Sequence, residues 1–349
     1  MGCRIFFLLL SILFGLACSG CAITSSADAG PVCSLRPVDR QARGTFALFF
    51  ATNRQAGALD GGYGIERSDA IGYGRLEIAM PATRSFGSIE GYRIARTQLF
   101  ANADAFSQAL DAESGSRAAS KPRLVFVHGY AESFERAAFR NAEVVADGCL
   151  DVVPVLFSWP SRDAFASYNY DRESATFSRD ALAGLIRRVA GAGRRAPTHV
   201  MAHSMGNWIA LEALAMLREH RGGNGAPPIG ALVLASPDVD VDVFRKALAA
   251  VTGMARSTLL LTSHRDLLLQ LSSTLASGVP RAGSADAREL EAHGVTAAGN
   301  FSIVHIDEST QGDCQATNHQ CAENNPAVLS AIRQAMERAA AGRMADRGR

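Results

Sequence analysis

Beyond Pro122 the chain repeats one pattern: a short unbroken apolar run, a few small or polar residues, then a helical stretch. The runs are "RLVFV" at 123–127, "VVPVLF" at 152–157, "THVMA" at 198–202, "ALVLA" at 231–235, "TLLLT" at 258–262 and "FSIVH" at 301–305. A strand open to solvent on one side alternates apolar with polar residues, whereas an unbroken run is covered on both faces, as in a parallel sheet. Between the runs, Leu182, Leu185, Ile186 and Val189 stand at i, i+3, i+4 and i+7, the spacing of one helix face. Such alternation predicts an α/β fold, a mostly parallel sheet with helices on both faces. Upstream, "FALFFATNR" and "GYGRLEIAMP" read as two more strands, and "PAVLSAIRQAMERAA" as a closing helix opened by proline. The Gly/Ala-rich segment Gly278–Gly299 has no clear periodicity, and whether it forms a lid stays open.

The first residues do not belong to this pattern. Arg4, an apolar run from Ile5 to Ala17 and then small residues predict a signal peptide over 1–21. "CSGC" at 18–21 fits a lipoprotein signal, with Cys21 as the residue that would carry the lipid and attach the protein to a membrane. Residues 22–44 read as a tether, and 45–345 as one domain. A periplasmic location on the bacterial envelope follows, with simple secretion as the alternative. Export permits disulfides. Four cysteines remain after the leader, and the expected pairs are Cys314–Cys321 and Cys33–Cys149. The net charge of +1, with no basic stripe, argues against a nucleic-acid partner.

In an open α/β sheet, ligands bind beyond the carboxyl ends of the strands, so chemistry should be sought there. Those positions hold His128-Gly129-Tyr130, Ser158-Trp159-Pro160, His203-Ser204-Met205-Gly206, Ser236-Pro237-Asp238, and Ser263-His264-Arg265-Asp266, with His319 before the last helix. "AHSMG" is a strand–turn–helix serine motif in which Ala202 replaces the first glycine of G-x-S-x-G. A serine hydroxyl needs a base to take its proton. His203 is adjacent, but neighbouring side chains on a tight turn diverge. By position, His319 is the expected base. Asp266 is the expected acid that orients it, with Asp240 in reserve, although Asp240 is also placed to cap a helix. The backbone N–H groups of Tyr130 and Met205 are the expected oxyanion donors, Gly129 allowing close approach. No Walker loop, G-x-G-x-x-G after a strand or H-E-x-x-H occurs, and neither metal nor cofactor is expected.

Together "ATNR", "FVHGY", "FSWPS", "YDRESA", "AHSMGN", "SPDVD", "SHRD" and the final "H…NPAVL" resemble a bacterial branch of the α/β-hydrolase superfamily, from about residue 45 to 340. Most members of that branch are catalogued as a domain of unknown function, with esterase or lipase activity inferred. The resemblance implies an α/β-hydrolase fold, a Ser204–Asp266–His319 triad and an ester substrate, a small molecule or a lipid. An acyltransferase or amidase would use the same triad, and some proteins of this fold are non-catalytic binding modules. "YDRESA" at 170–175 has no chemical role that the sequence reveals.

Overall fold

A computed structural model describes residues 45–345 apart from 58–61, 82, 116–119, 192–195, 221–228, 276–277 and 310–318. The leader, the tether, Cys21, Cys33 and Cys314 lie outside the described residues. Cys149 and Cys321 are both disulfide-bonded.

The order of elements is β1 (Thr45–Ala56), β2 (Tyr63–Ala79), β3 (Arg93–Phe100), α1 (Ala103–Ser114), β4 (Arg123–Val127), α2 (Phe134–Asp147), β5 (Val153–Ser158), α3 (Tyr168–Ala190), β6 (Thr198–His203), α4 (Gly206–Glu219), β7 (Ile229–Ala235), α5 (Val241–Ala250), β8 (Ala255–Thr262), α6 (Leu267–Leu275), α7 (Ala287–Ala292), β9 (Phe301–His305), α8 (Ile306–Ser309), α9 (Cys321–Asn324) and α10 (Pro326–Ala345). They build one nine-stranded sheet in the order β3-β2-β1-β5-β4-β6-β7-β8-β9. The β1–β2 and β2–β3 pairs are antiparallel, and every pairing from β1–β5 to β8–β9 is parallel.

The unbroken apolar runs are explained by what covers them. In β4, Val125 and Val127 face a core shared with Leu182, Leu185 and Ile186 of α3 and Ile209 and Leu214 of α4. Leu124 and Phe126 face the opposite core, with Phe134 and Val144 of α2 and Leu329 and Ile332 of α10. Strand side chains alternate in direction, so a strand between two helix layers must be apolar at every position. Fully burying each such side chain contributes about 1.5–3 kcal/mol.

Two departures from the sequence reading concern the antiparallel end. The second strand runs from Tyr63 rather than from Gly72, and β3 with α1 follows it. The Gly278–Gly299 segment is packed against the strand ends. Ala282 N–H donates to the Val239 carbonyl and Gly283 N–H to that of Pro237, while Ala282, Ala285 and Leu290 are buried. A Cβ on Gly283 would stand 2.4 Å from the Ser236 carbonyl carbon, so only glycine fits this crossing.

Candidate active site

Between β6 and α4 the chain turns at Ser204, whose φ of 52° lies in the left-handed region. Non-glycine residues avoid that region unless their surroundings hold them there. The surroundings are specific. Ser204 N–H donates to the Ala235 carbonyl, and the Ser204 carbonyl accepts from the N–H groups of Asn207 and Asp238. The Asn207 side-chain amide donates to both Ser204 O and Ala235 O, each at 2.9 Å. Gly206 faces the β4 loop so closely that a Cβ would lie 2.5 Å from His128 O and 2.6 Å from Val127 O. At Ala202, by contrast, the extra methyl is accommodated inside the core.

Ser204 opens onto a cavity of about 290 Å³ also lined by His319, Tyr130, His203, Tyr168 and the α6 leucines Leu268, Leu269 and Leu271. Behind His319, its Nδ1 lies 2.7 Å from Asp266 Oδ2, and Asp266 is wholly buried. The other carboxylate oxygen, Oδ1, accepts from Leu269 N–H at the start of α6. Burial by itself would lower the pKa of His319; the Asp266 charge and hydrogen bond, joined by Asp238, outweigh it and leave the net direction upward. Asp240 takes no part in the cavity. Its Oδ1 accepts from Asp242 N–H and Val243 N–H, making it the N-cap of α5, and the reserve assignment as acid is corrected accordingly. Asp238 is engaged by Tyr168 Oη, Ser272 Oγ and the Arg281 guanidinium.

Met205 occupies the N-cap position of α4, where backbone N–H groups have no intrahelical acceptor. Tyr130 lines the cavity from the loop after β4. Gly129 lets that loop pass, since a Cβ there would stand 3.0 Å from Ser204 Cβ.

The loop is braced by His128, Asp171 and Arg54. His128 Nδ1 donates to the Gly129 carbonyl, so its Nε2 accepts from Trp159 N–H, and the ring stacks on Trp159 at 5.0 Å. Asp171 of "YDRESA" accepts from Ala131 N–H, Ser161 Oγ and Arg162 N–H. Ala131 has a φ of 54°, and Asp171 thus pins the strained residue next to Tyr130. Arg54 of "ATNR" donates to Ser158 Oγ and to the carbonyls of Gly64, Ser161 and Glu132. Burial pulls its pKa down to about 10, so it stays charged at neutral pH.

Solved structures to which the chain is similar include the monoclinic form of an esterase from Pyrobaculum calidifontis, at 12% identity over 86% of this chain and 86% of that one, with a TM-score of 0.32. A thermostable esterase from Pseudomonas putida matches at 14% identity over 84% and 82%, TM-score 0.36. A fungal esterase from Rhizomucor miehei matches at 12% identity over 85% of each chain, TM-score 0.36. No curated protein matches the chain. The family described as "Alpha/beta hydrolase of unknown function" matches residues 102–338, which run from the start of α1 into α10, take in β4 to β9 and carry Ser204, Asp266 and His319. The protein belongs to that α/β-hydrolase family.

Proposed function

We propose that the protein is an exported serine hydrolase that cleaves carboxylic esters through an acyl-enzyme on Ser204. The observation that carries the reading is the 2.7 Å contact between His319 Nδ1 and a buried Asp266, on the wall of a cavity that also holds Ser204 on a strained turn. In the proposed reaction, Ser204 Oγ attacks the ester carbonyl while His319 Nε2 takes its proton. Asp266 stays ionised, fixes the tautomer with the proton on Nδ1, and stabilises the imidazolium. The N–H groups of Met205 and Tyr130 receive the developing oxyanion. The tetrahedral intermediate expels the alcohol, which takes the proton from His319. Water then attacks the acyl-enzyme by the same route and frees the acid. A cavity of about 290 Å³ walled by Leu268, Leu269 and Leu271 favours a short acyl chain. Export and a lipid on Cys21 rest on the N-terminal sequence and complete the proposal.

The test is turnover of p-nitrophenyl esters of increasing acyl length by the purified protein. Ser204→Ala and His319→Ala should each lower kcat by roughly four to six orders of magnitude with the fold intact. An His319→Ala variant keeping more than about a tenth of kcat would remove His319 as the base.

A further inference from the structure

Next to His319 lies a buried cluster that the proposed chemistry does not use: His203, which also lines the cavity, together with Glu323, Arg140 and Glu143. All four are nearly inaccessible, Glu143 at 0% and Glu323 at 1% exposure. The cluster touches His319 directly. His203 Nε2 lies 3.2 Å from the His319 backbone oxygen, and the two rings sit 4.7 Å apart. On its other side His203 Nδ1 lies 3.5 Å from Glu323 Oε1, a buried oxygen that has no hydrogen-bond partner among the described residues.

Proton accounting decides the state of this chain. A carbonyl oxygen only accepts, so Nε2 of His203 carries a hydrogen and donates it to His319 O. Burial holds His203 neutral, its pKa pushed down to about 3 with the neighbouring His319 adding to the effect. A neutral imidazole with its proton on Nε2 presents a lone pair at Nδ1. An ionised carboxylate facing that lone pair would be repelled, whereas a protonated one donates to it. The charge balance agrees. One guanidinium faces two carboxyl groups, and Arg140 Nη1 is 2.5 Å from Glu143 Oε2 while its Nε is 3.6 Å from Glu323 Oε2. The closer partner, Glu143, is the one to hold the negative charge. A second uncompensated carboxylate in so dry a place would be costly. We propose that Glu323, protonated on Oε1, is a positioning residue for the base: it holds His203 in the tautomer that anchors the His319 backbone. The inference rests on His319 being the base of the proposed reaction.

Burial also pushes the Glu323 carboxyl up, to about 7, against the pull of Arg140 and His319. Facing it are Arg140 and Glu143 from α2, His203 from the end of β6 and His319; Glu132, ahead of α2, adds a further acidic neighbour. On α10, Arg333 and Glu337 pair with each other at 4.0 Å at the surface. As pH rises through the Glu323 value the donor is lost, and the anchor on His319 should loosen.

The experiment measures kcat and KM against pH on a p-nitrophenyl ester for wild type, Glu323→Gln, Glu323→Ala and His203→Ala, with His319→Ala as control. Glutamine keeps a donor toward Nδ1 and an acceptor toward Arg140. It should hold kcat within about threefold at pH 7, a change of less than 1 kcal/mol in the barrier, and abolish the alkaline decline of wild type. Glu323→Ala should lower kcat about 100-fold with little change in KM, the cost of displacing a catalytic group by about 1 Å. Adding His203→Ala to Glu323→Ala should cost little more, because the two act as one unit. Glu323→Gln falling as far as Glu323→Ala, an alkaline limb that persists in Glu323→Gln, or an unimpaired Glu323→Ala would each overturn the proposal. An active His319→Ala would instead overturn the assignment of the base. Should Glu323→Ala fail to fold, the pH profile of Glu323→Gln still decides.

Discussion

Two aspartates each follow a strand and precede a helix, and only their hydrogen bonds tell them apart. Asp240 accepts from the N–H groups of Asp242 and Val243 in the first turn of α5. Asp266 also touches its own helix through Leu269 N–H, yet its second oxygen reaches His319 across 53 residues. Asparagine caps a helix about as well as aspartate, so Asp240→Asn should leave kcat within about twofold of wild type. Asp266→Asn should lower kcat by roughly 10⁴-fold, because an amide stabilises the wrong tautomer of His319. Parallel kinetics of the two variants check this, and the opposite ranking would return the acid to Asp240. At this scale the sequence was legible in placement: Ser204 and Asp266 each stand just beyond the end of a strand, β6 and β8, where the apolar runs put them. His203 shows the limit: the turn geometry suggested that it diverges from Ser204, yet it lines the same cavity, and its bond to His319 O joins residues 116 apart.

Loops carry this site, and their order comes from elements elsewhere in the chain. The loop after β4 offers Tyr130, and Asp171 in the first turn of α3 ties that loop to the one after β5 by accepting three hydrogen bonds. Asp171→Ala should leave the N–H groups of Ala131 and Arg162 without their acceptor. A buried group left so costs about 1–3 kcal/mol, and a displaced oxyanion donor costs further in kcat. Urea denaturation and turnover of the variant measure the two effects; unchanged values in both would remove the brace. The six residues "YDRESA" could be singled out from sequence but not explained. Their partners lie in the loops after β4 and β5 and in β2, up to 107 residues away, beyond any local pattern.

The parallel half of the sheet was readable as a whole, since burial between α1, α3 and α4 on one face and α2 and α10 on the other leaves the middle of the strands apolar on both faces. β3 escaped because it lies at the sheet edge, where its residues are exposed or half-exposed and show no apolar run. The cysteines act at this scale too. Cys321 is disulfide-bonded, buried, and two residues beyond His319. We expect Cys314 as its partner, and the pair as a brace on the base. A short loop of this kind contributes roughly 2–3 kcal/mol at most, so Cys314→Ser with Cys321→Ser should depress kcat more than Tm. A digest without reduction that yields both as free thiols, or a fully active double variant, would end this expectation.

Activation of Ser204 as a nucleophile by His319 is tested most directly by intact-protein mass spectrometry after a fluorophosphonate probe. The wild-type protein should gain the mass of one phosphonyl adduct, mapped to Ser204. Ser204→Ala should gain none, and folded His319→Ala should react slower by at least about 100-fold, the lower bound for a lost general base. Wild-type protein that takes no label, or label that persists in Ser204→Ala, would contradict the account.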